Sequence, residues 1–164
     1  MKKIAFILLA GICFTACKEE KKNEEDKMGT PETVTHEEVM SEKSCYLKVS
    51  EFSPEYNKDR IINDSIVLQF ERTGDSIYGE LNWLPYEKDS KYTTFKGIVN
   101  GNKASTIAHS IAEGDDYKEE LNFTLEGDKA KVMYGEMVEG DNGVWKYKDV
   151  NTTSEQVLEK VPCE

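Results

Sequence analysis

The stretch Ser76-Ile77-Tyr78-Gly79-Glu80-Leu81-Asn82-Trp83 sets Ile77, Gly79, Leu81 and Trp83 in strict alternation with Tyr78, Glu80 and Asn82. A period of two puts one set of side chains on each face of an extended chain, so these residues read as a β-strand with one face turned to a core. Thr73-Gly74-Asp75 precedes it and Pro85 ends it. Glycine supplies the positive φ that a tight hairpin turn needs, and proline has no N–H to give a ladder.

The same pattern recurs on both sides. Ile66, Leu68 and Phe70 alternate upstream; Phe95, Gly97 and Val99 alternate downstream as far as Asn100-Gly101-Asn102. Residues 104–112 then close at Glu113-Gly114-Asp115-Asp116, and Leu121, Phe123 and Leu125 close at Glu126-Gly127-Asp128. Residues 132–138 lead to Glu139-Gly140-Asp141-Asn142-Gly143, and 144–148 make a last strand. With 45–50 at the start, about eight strands are joined mainly by Gly/Asn/Asp turns, which predicts an all-β antiparallel meander. Residues 57–64 read as a loop with at most one helical turn, and no long helix is expected. A small closed up-and-down barrel of the lipocalin or streptavidin kind removes the exposed edges of such a meander; an open barrel or a β-sandwich is the alternative.

The N-terminus carries no part of that pattern. Met1-Lys2-Lys3 is followed by a charge-free apolar run over residues 4–14. That run falls far short of the ~20 residues of a membrane-spanning helix and fits the apolar region of a secretory signal. Phe14-Thr15-Ala16-Cys17 resembles the lipobox of bacterial lipoproteins. The resemblance implies cleavage before Cys17 and attachment of diacylglycerol to its thiol. Phe14 stands where leucine is usual, Ala16 is small as the peptidase requires, and Cys13 is a poorer candidate behind bulky Ile12. Acyl chains on Cys17 would tether the protein to a lipid bilayer, each buried CH₂ contributing about 0.8 kcal/mol. Lys18-Glu19-Glu20 resembles the lipoprotein export signal of Bacteroidota, which implies the outer face of the outer membrane; a plain charged linker and a periplasm-facing anchor are the alternatives.

The organisation expected is therefore a signal peptide over 1–16, a lipidated cysteine with a disordered charged linker over 17–44, and one β domain over 45–164. The linker reading rests on composition, because residues 18–44 hold five lysines, nine acids and no aromatic side chain. Such a segment buries too little apolar surface to offset its ordering entropy. Of the four cysteines, Cys13 leaves with the signal and Cys17 is lipidated. Cys45 and Cys163 remain, and in an oxidising compartment they should pair, tying the first strand to the C-terminus. That tie favours closure, since first and last strands are neighbours in a barrel.

The whole chain carries a net charge of −11, and the β domain alone has 14 basic residues against 23 acidic ones. Phosphate binding needs a basic face, so no nucleic acid partner is expected.

Cys45-Tyr46, Gly79-Glu80-Leu81-Asn82-Trp83, Tyr86-Glu87-Lys88-Asp89, the Glu113-Gly114 turn, Tyr134-Gly135-Glu136 and Pro162-Cys163 together resemble small uncharacterised lipoproteins of Bacteroidota, of the flavobacterial type. The resemblance spans most of residues 45–164. It implies the membrane address and no particular activity.

Catalytic chemistry is poorly provided for. His109 is the only histidine of the β domain and no Gly-x-Ser-x-Gly elbow occurs. His109 shares a strand face with Ile107 and Ile111, which predicts a barrel-lining or satisfied histidine. Glu80, Glu120 and Glu136 each fall within a predicted strand, and their convergence would suggest glycosidase chemistry. No metal site and no cofactor is expected: HExxH, Cys/His clusters and EF-hand spacing are missing, and the acidic turns at Asp115-Asp116 and Glu139-Gly140-Asp141-Asn142 need no ion. Trp83, Tyr134 and Trp145 with Tyr147 could line the mouth of a barrel. The expected function is a non-enzymatic barrel that binds a small ligand, a glycan or a protein; an enzyme inhibitor or accessory subunit of an outer-membrane complex is the second reading, and a carboxylate-dependent hydrolase the third.

Overall fold

The alternating strands close into a ring, joined by two-residue turns at one end and by mostly longer connections at the other. A computed structural model describes residues 41–164; Cys17, the lipobox and nearly all of the linker lie outside the described residues. The strands are β1 (Glu42–Phe52), β2 (Ile62–Thr73), β3 (Ser76–Leu84), β4 (Tyr92–Asn100), β5 (Lys103–Ala112), β6 (Asp115–Glu126), β7 (Lys129–Tyr134), β8 (Met137–Glu139), β9 (Val144–Tyr147) and β10 (Ser154–Val161). A 3₁₀ turn, Val150–Thr152, leads into β10. Strands β1 to β7 pair in sequence order, and β10 pairs with β7 on one side and β1 on the other. These eight form a closed antiparallel up-and-down barrel. The β8–β9 hairpin stands outside the ring and joins β6 in parallel at Lys118↔Val144 and Glu119↔Trp145.

One end of the barrel is shut by tight turns. Gly74-Asp75, Gly101-Asn102 and Gly127-Asp128 each join two strands, with φ of +61°, +63° and +59° at the glycines. Glycine first with a positive φ is the signature of the hairpin turn whose twist matches its strands. The second residue of each turn then accepts from the next strand over: Val99 N donates to Asp75 O, Leu125 N to Asn102 O and Lys160 N to Asp128 O, at 2.7–2.8 Å. At this same end Cys45 and Cys163 form a disulfide across a Cα–Cα distance of 5.3 Å, beside the β1–β10 ladder in which Cys45 faces Val161.

Phe70, Phe95, Phe123 and Tyr46 fill the middle of the barrel. Tyr46 stacks on Phe70, Phe70 leans on Phe123 and Phe123 meets Phe95 edge to face, with ring centroids 5.6–5.9 Å apart. Leu68, Val132, Ala130 and Leu158, all fully buried, complete the packing. Two glycines allow the wall to curve around this cluster. A Cβ on Gly79 would lie 2.1 Å from the Gln69 carbonyl oxygen, and one on Gly97 would lie 2.2 Å from that of Ser105. Each glycine is the point where a strand bends hard across its neighbour.

Several boundaries differ from the sequence reading. The strand pattern does not stop at 148: the eighth stave is β10, where only Leu158 is fully buried and charged residues hide the alternation. Residues 132–138 are two strands broken at Gly135-Glu136, and 144–148 leaves the ring to become the outrigger β9. β1 starts at Glu42, inside the segment assigned to the linker, because its backbone pairs with Arg72, Glu71 and Phe70 whatever its side chains. β2 starts at buried Ile62, within the expected 57–64 loop. His109 does lie on one face with Ile107 and Ile111, but that face is the outer one. Ala104, Thr106, Ala108 and Ser110 point inward instead, because β5 passes close to the Phe95–Phe123 pair and only small side chains fit between.

Candidate functional site

The other end of the barrel is a mouth. Residues 53–61, 85–91 and 135–153 connect strands there, against tight Glu113-Gly114 turn geometry with both φ values positive on the fourth connection. β6 and β7 pair only from Phe123 to Glu126 on β6, so above that level they diverge and the wall splits. Within the split lies a cavity of about 230 Å³, lined on one side by Leu81, Trp83, Lys91 and Thr93, and on the other by Glu119, Glu120, Leu121, Met133, Tyr134, Gly135, Met137 and Tyr147.

The local sequence explains how each group arrives. Trp83 and Lys91 face each other across a two-way backbone bridge, each N–H donating to the other's carbonyl at 2.9 Å, so the β3–β4 loop delivers both to the rim. Asn82 Oδ1 accepts from Thr93 N at 3.2 Å and takes over where the β3–β4 ladder ends. Glu119 follows the inward phase of β6 set by Leu121 and Phe123, and its side chain is only 14% exposed. Ser110 Oγ donates to Glu119 Oε1 at 2.6 Å and lies 3.0 Å from Thr93 Oγ1; Lys91 Nζ reaches the same Glu119 oxygen at 2.5 Å. A carboxylate withdrawn from water is held there by one charge and one hydroxyl.

Tyr134 and Tyr147 form the aromatic wall. Burial, and then the negative charge of Glu119, pushes the Tyr134 hydroxyl up to about 12. Burial likewise holds Tyr147 at about 12. Tyr147 also fastens the outrigger: its hydroxyl donates to Met133 O at 2.9 Å and its N–H to Glu120 Oε2 at 3.4 Å. Gly135 makes room for this, since a Cβ there would meet Thr153 Cγ2 at 2.8 Å and Tyr147 Cδ1 at 3.5 Å.

Of the residues singled out from sequence, Trp83, Glu120 and Tyr134 line this cavity together, as does Tyr147. Glu80 is on the outer wall, accepting from Gln69 Nε2 at 3.3 Å. His109, also outside, is paired with Asp116. Glu136 is exposed and pairs with Lys148 at 2.8 Å. The three glutamates therefore do not share a cavity, and the geometry expected for a Glu80–Glu120–Glu136 site is not formed. Trp145 lies apart from the cavity, in a neighbouring depression of about 500 Å³ with Asp115, Asp116 and Tyr117; Glu119 and Met137 border both. Lys91, Thr93, Ser110 and Glu119 were not singled out from sequence. The signal for Glu119 was present in the phase of Tyr117, Glu119, Leu121, Phe123 and Leu125, which puts a carboxylate on the apolar face.

The remaining depressions are shallow and lie on the outer wall. The one over Gly79 exposes the edges of Phe70 and Phe95, and its polar groups are already engaged, Tyr78 donating to Glu71. Among the described residues no three His, Cys, Asp or Glu side chains group as metal ligands. No family model, no curated protein and no solved structure matches this chain.

Proposed function

We propose that this protein is a lipid-tethered binding module that takes a small ligand into the mouth of its barrel. The observation that carries the reading is the mouth cavity itself: Trp83, Tyr134 and Tyr147 offer apolar faces around a part-buried, hydrogen-bonded Glu119. Apolar walls with a few fixed polar groups are the usual build of a small-molecule site. At about 230 Å³ the cavity lies below the range for drug-sized ligands, so the ligand is small or only part of it enters. The lipobox reading of Phe14-Thr15-Ala16-Cys17 supplies the tether, and Lys18-Glu19-Glu20 the outer-surface address. The chain enters β1 at the shut end, opposite the mouth.

Trp83 provides the readout. In a Trp145→Phe background its fluorescence reports the mouth alone, and a small-molecule library should contain compounds that change it saturably. If none does, and none shifts the thermal midpoint, the binding reading fails. The tether is tested separately: mass spectrometry of the membrane fraction should find diacylglycerol on Cys17, and Cys17→Ser should release the protein in soluble form.

A protein-binding role draws on a different observation. Tyr56, Ile61 and Tyr86 stand 56–69% exposed on the mouth loops, with Arg60 4.8 Å above the Tyr86 ring. Crosslinking through Tyr86 on intact cells that is lost in Ile61→Asp would favour that reading.

A further inference from the structure

Lys91 is the feature that the binding reading leaves unexplained. Its ammonium sits at the cavity rim, 2.5 Å from Glu119 Oε1 and 5.3 Å from the centroid of the Tyr117 ring. It is carried by a loop residue whose side chain remains 30% exposed, while the carboxylate it meets is 14% exposed and anchored by Ser110 on β5. The carboxylate is fixed by the barrel wall, and the cation is delivered on a flexible stem. Aromatic faces and methionine sulfur around a carboxylate make a site for a cation with an alkyl body, since ring faces attract positive charge and Met133 and Met137 pack against methylenes. The adjoining depression extends the same character, with Asp115, Asp116, Tyr117 and Trp145 beyond Glu119.

We infer that the mouth cavity selects an aliphatic primary ammonium, and that Lys91 occupies this cation site from within until a ligand ammonium displaces it onto the open rim. This rests on the binding reading and gives its ligand a chemical class. The exchange is one of ion-pair partners: one ammonium leaves the Glu119 oxygen as another arrives, and no bond or proton changes hands. A free diamine and a lysine side chain of another molecule carry the same group. The cavity volume favours the free amine, whose second ammonium would face the acidic depression that adjoins Glu119.

The test is titration of the folded domain, followed by Trp83 fluorescence and amide NMR shifts, with four probes that share a short alkyl segment. Butane-1,4-diammonium and Nα-acetyl-lysine N-methylamide carry the ammonium; butan-1-ol and butyrate do not. Saturable binding of either cation, with shifts at Ser110 and Glu119, is expected, and the tighter one identifies the source. Glu119→Gln, which keeps the size and the Ser110 hydrogen bond, should weaken it by roughly thirtyfold or more. Lys91→Met removes the internal competitor. If Lys91 holds the site nine-tenths of the time, affinity should rise about tenfold. Lys91→Met keeps the backbone bridge to Trp83 and changes only a rim side chain, so it tests the occupant independently of Glu119→Gln. Butanol or butyrate binding as tightly as the cations overturns the charge class and leaves the binding reading standing. Lys91→Met that binds the cations no better overturns the internal occupant. Failure of every compound, in the library and here, removes the binding reading with it.

Discussion

The two ends of the barrel are built on opposite plans. The shut end uses two-residue Gly-Asp and Gly-Asn turns, each turn carbonyl held by the next strand, and locks the chain ends with Cys45–Cys163. Ile77, Val99 and Ala104 beside those turns are buried. The mouth spends long connections, lets β6 and β7 part, and places Lys91, Glu119, Thr93 and Ser110 where a simple barrel would place leucines. Stability is concentrated at one end so that the other can hold polar groups that contribute little to it. Loops that carry function on a rigid scaffold follow the same division.

If the division is real, damage to the core and shut end should be global and damage to the mouth local. The largest effect is expected from Phe123→Ala, which removes the ring shared by the Phe70 and Phe95 contacts. Buried Phe→Ala changes cost about 3–5 kcal/mol, and chemical denaturation should show that loss with no separate transition for the mouth. A loss below about 1 kcal/mol would mean that the aromatic cluster is not the main support. Next comes Cys45→Ala/Cys163→Ala, expected to cost about 2–5 kcal/mol by freeing a loop closed across 118 positions. The same loss should follow from reductant alone, and insensitivity to reductant would show that the β1–β10 ladder suffices without the bridge.

The shut end was also the legible one. Strict alternation and Gly-Asp turns are local signals, so β2 to β6, the closed barrel and the pairing of Cys45 with Cys163 could be read from residues alone. The mouth could not, because its logic is tertiary. β10 has a single fully buried residue, Leu158, and is a stave only because β7 and β1 flank it. His109 and Ile107 looked inward because isoleucine is apolar; the space left by Phe95 and Phe123 decided the face instead. Trp83 and Tyr134 were found because aromatic residues near strand ends tend to border cavities. Glu119 and Lys91 were missed because 28 positions separate them in the sequence, and it takes the two successive pairings β4–β5 and β5–β6 to bring them together.

A smaller effect should separate the polar cluster from the core. Ser110 is fully buried, and its hydroxyl joins Thr93 to Glu119. Ser110→Ala leaves Thr93 Oγ1 without that partner and Glu119 with Lys91 alone. A cost of about 1–2 kcal/mol follows from a buried group losing its partner. Hydrogen exchange should quicken around β5 and the upper part of β6 while amides beside Leu68 and Val132 keep their protection. Uniform loss of protection would mean that mouth and core are one cooperative unit and that the contrast drawn between them is one of composition only.

The smallest effect is the most selective. Tyr134 and Tyr147 titrate at about 12 in the folded protein because burial disfavours the phenolate, whereas an unfolded tyrosine titrates near 10. Between those values the unfolded chain has released protons that the folded one retains. Their contribution is thus complete below about pH 10 and is lost as pH rises through about 12. Both groups stand at the mouth, so alkali should act there first. Tyr147 additionally fastens β9 through its hydroxyl to Met133 O. Tyr147→Phe removes that hydrogen bond and one of the two titrating groups together. It should cost about 0.5–1.5 kcal/mol at neutral pH and flatten the alkaline loss of stability by part of its slope. Near-ultraviolet absorbance of tyrosinate should then show one fewer late-titrating group. If wild type and Tyr147→Phe lose stability along the same alkaline curve, Tyr147 is already exposed in solution, the β8–β9 hairpin stands away from the wall, and the mouth is wider than its resting geometry.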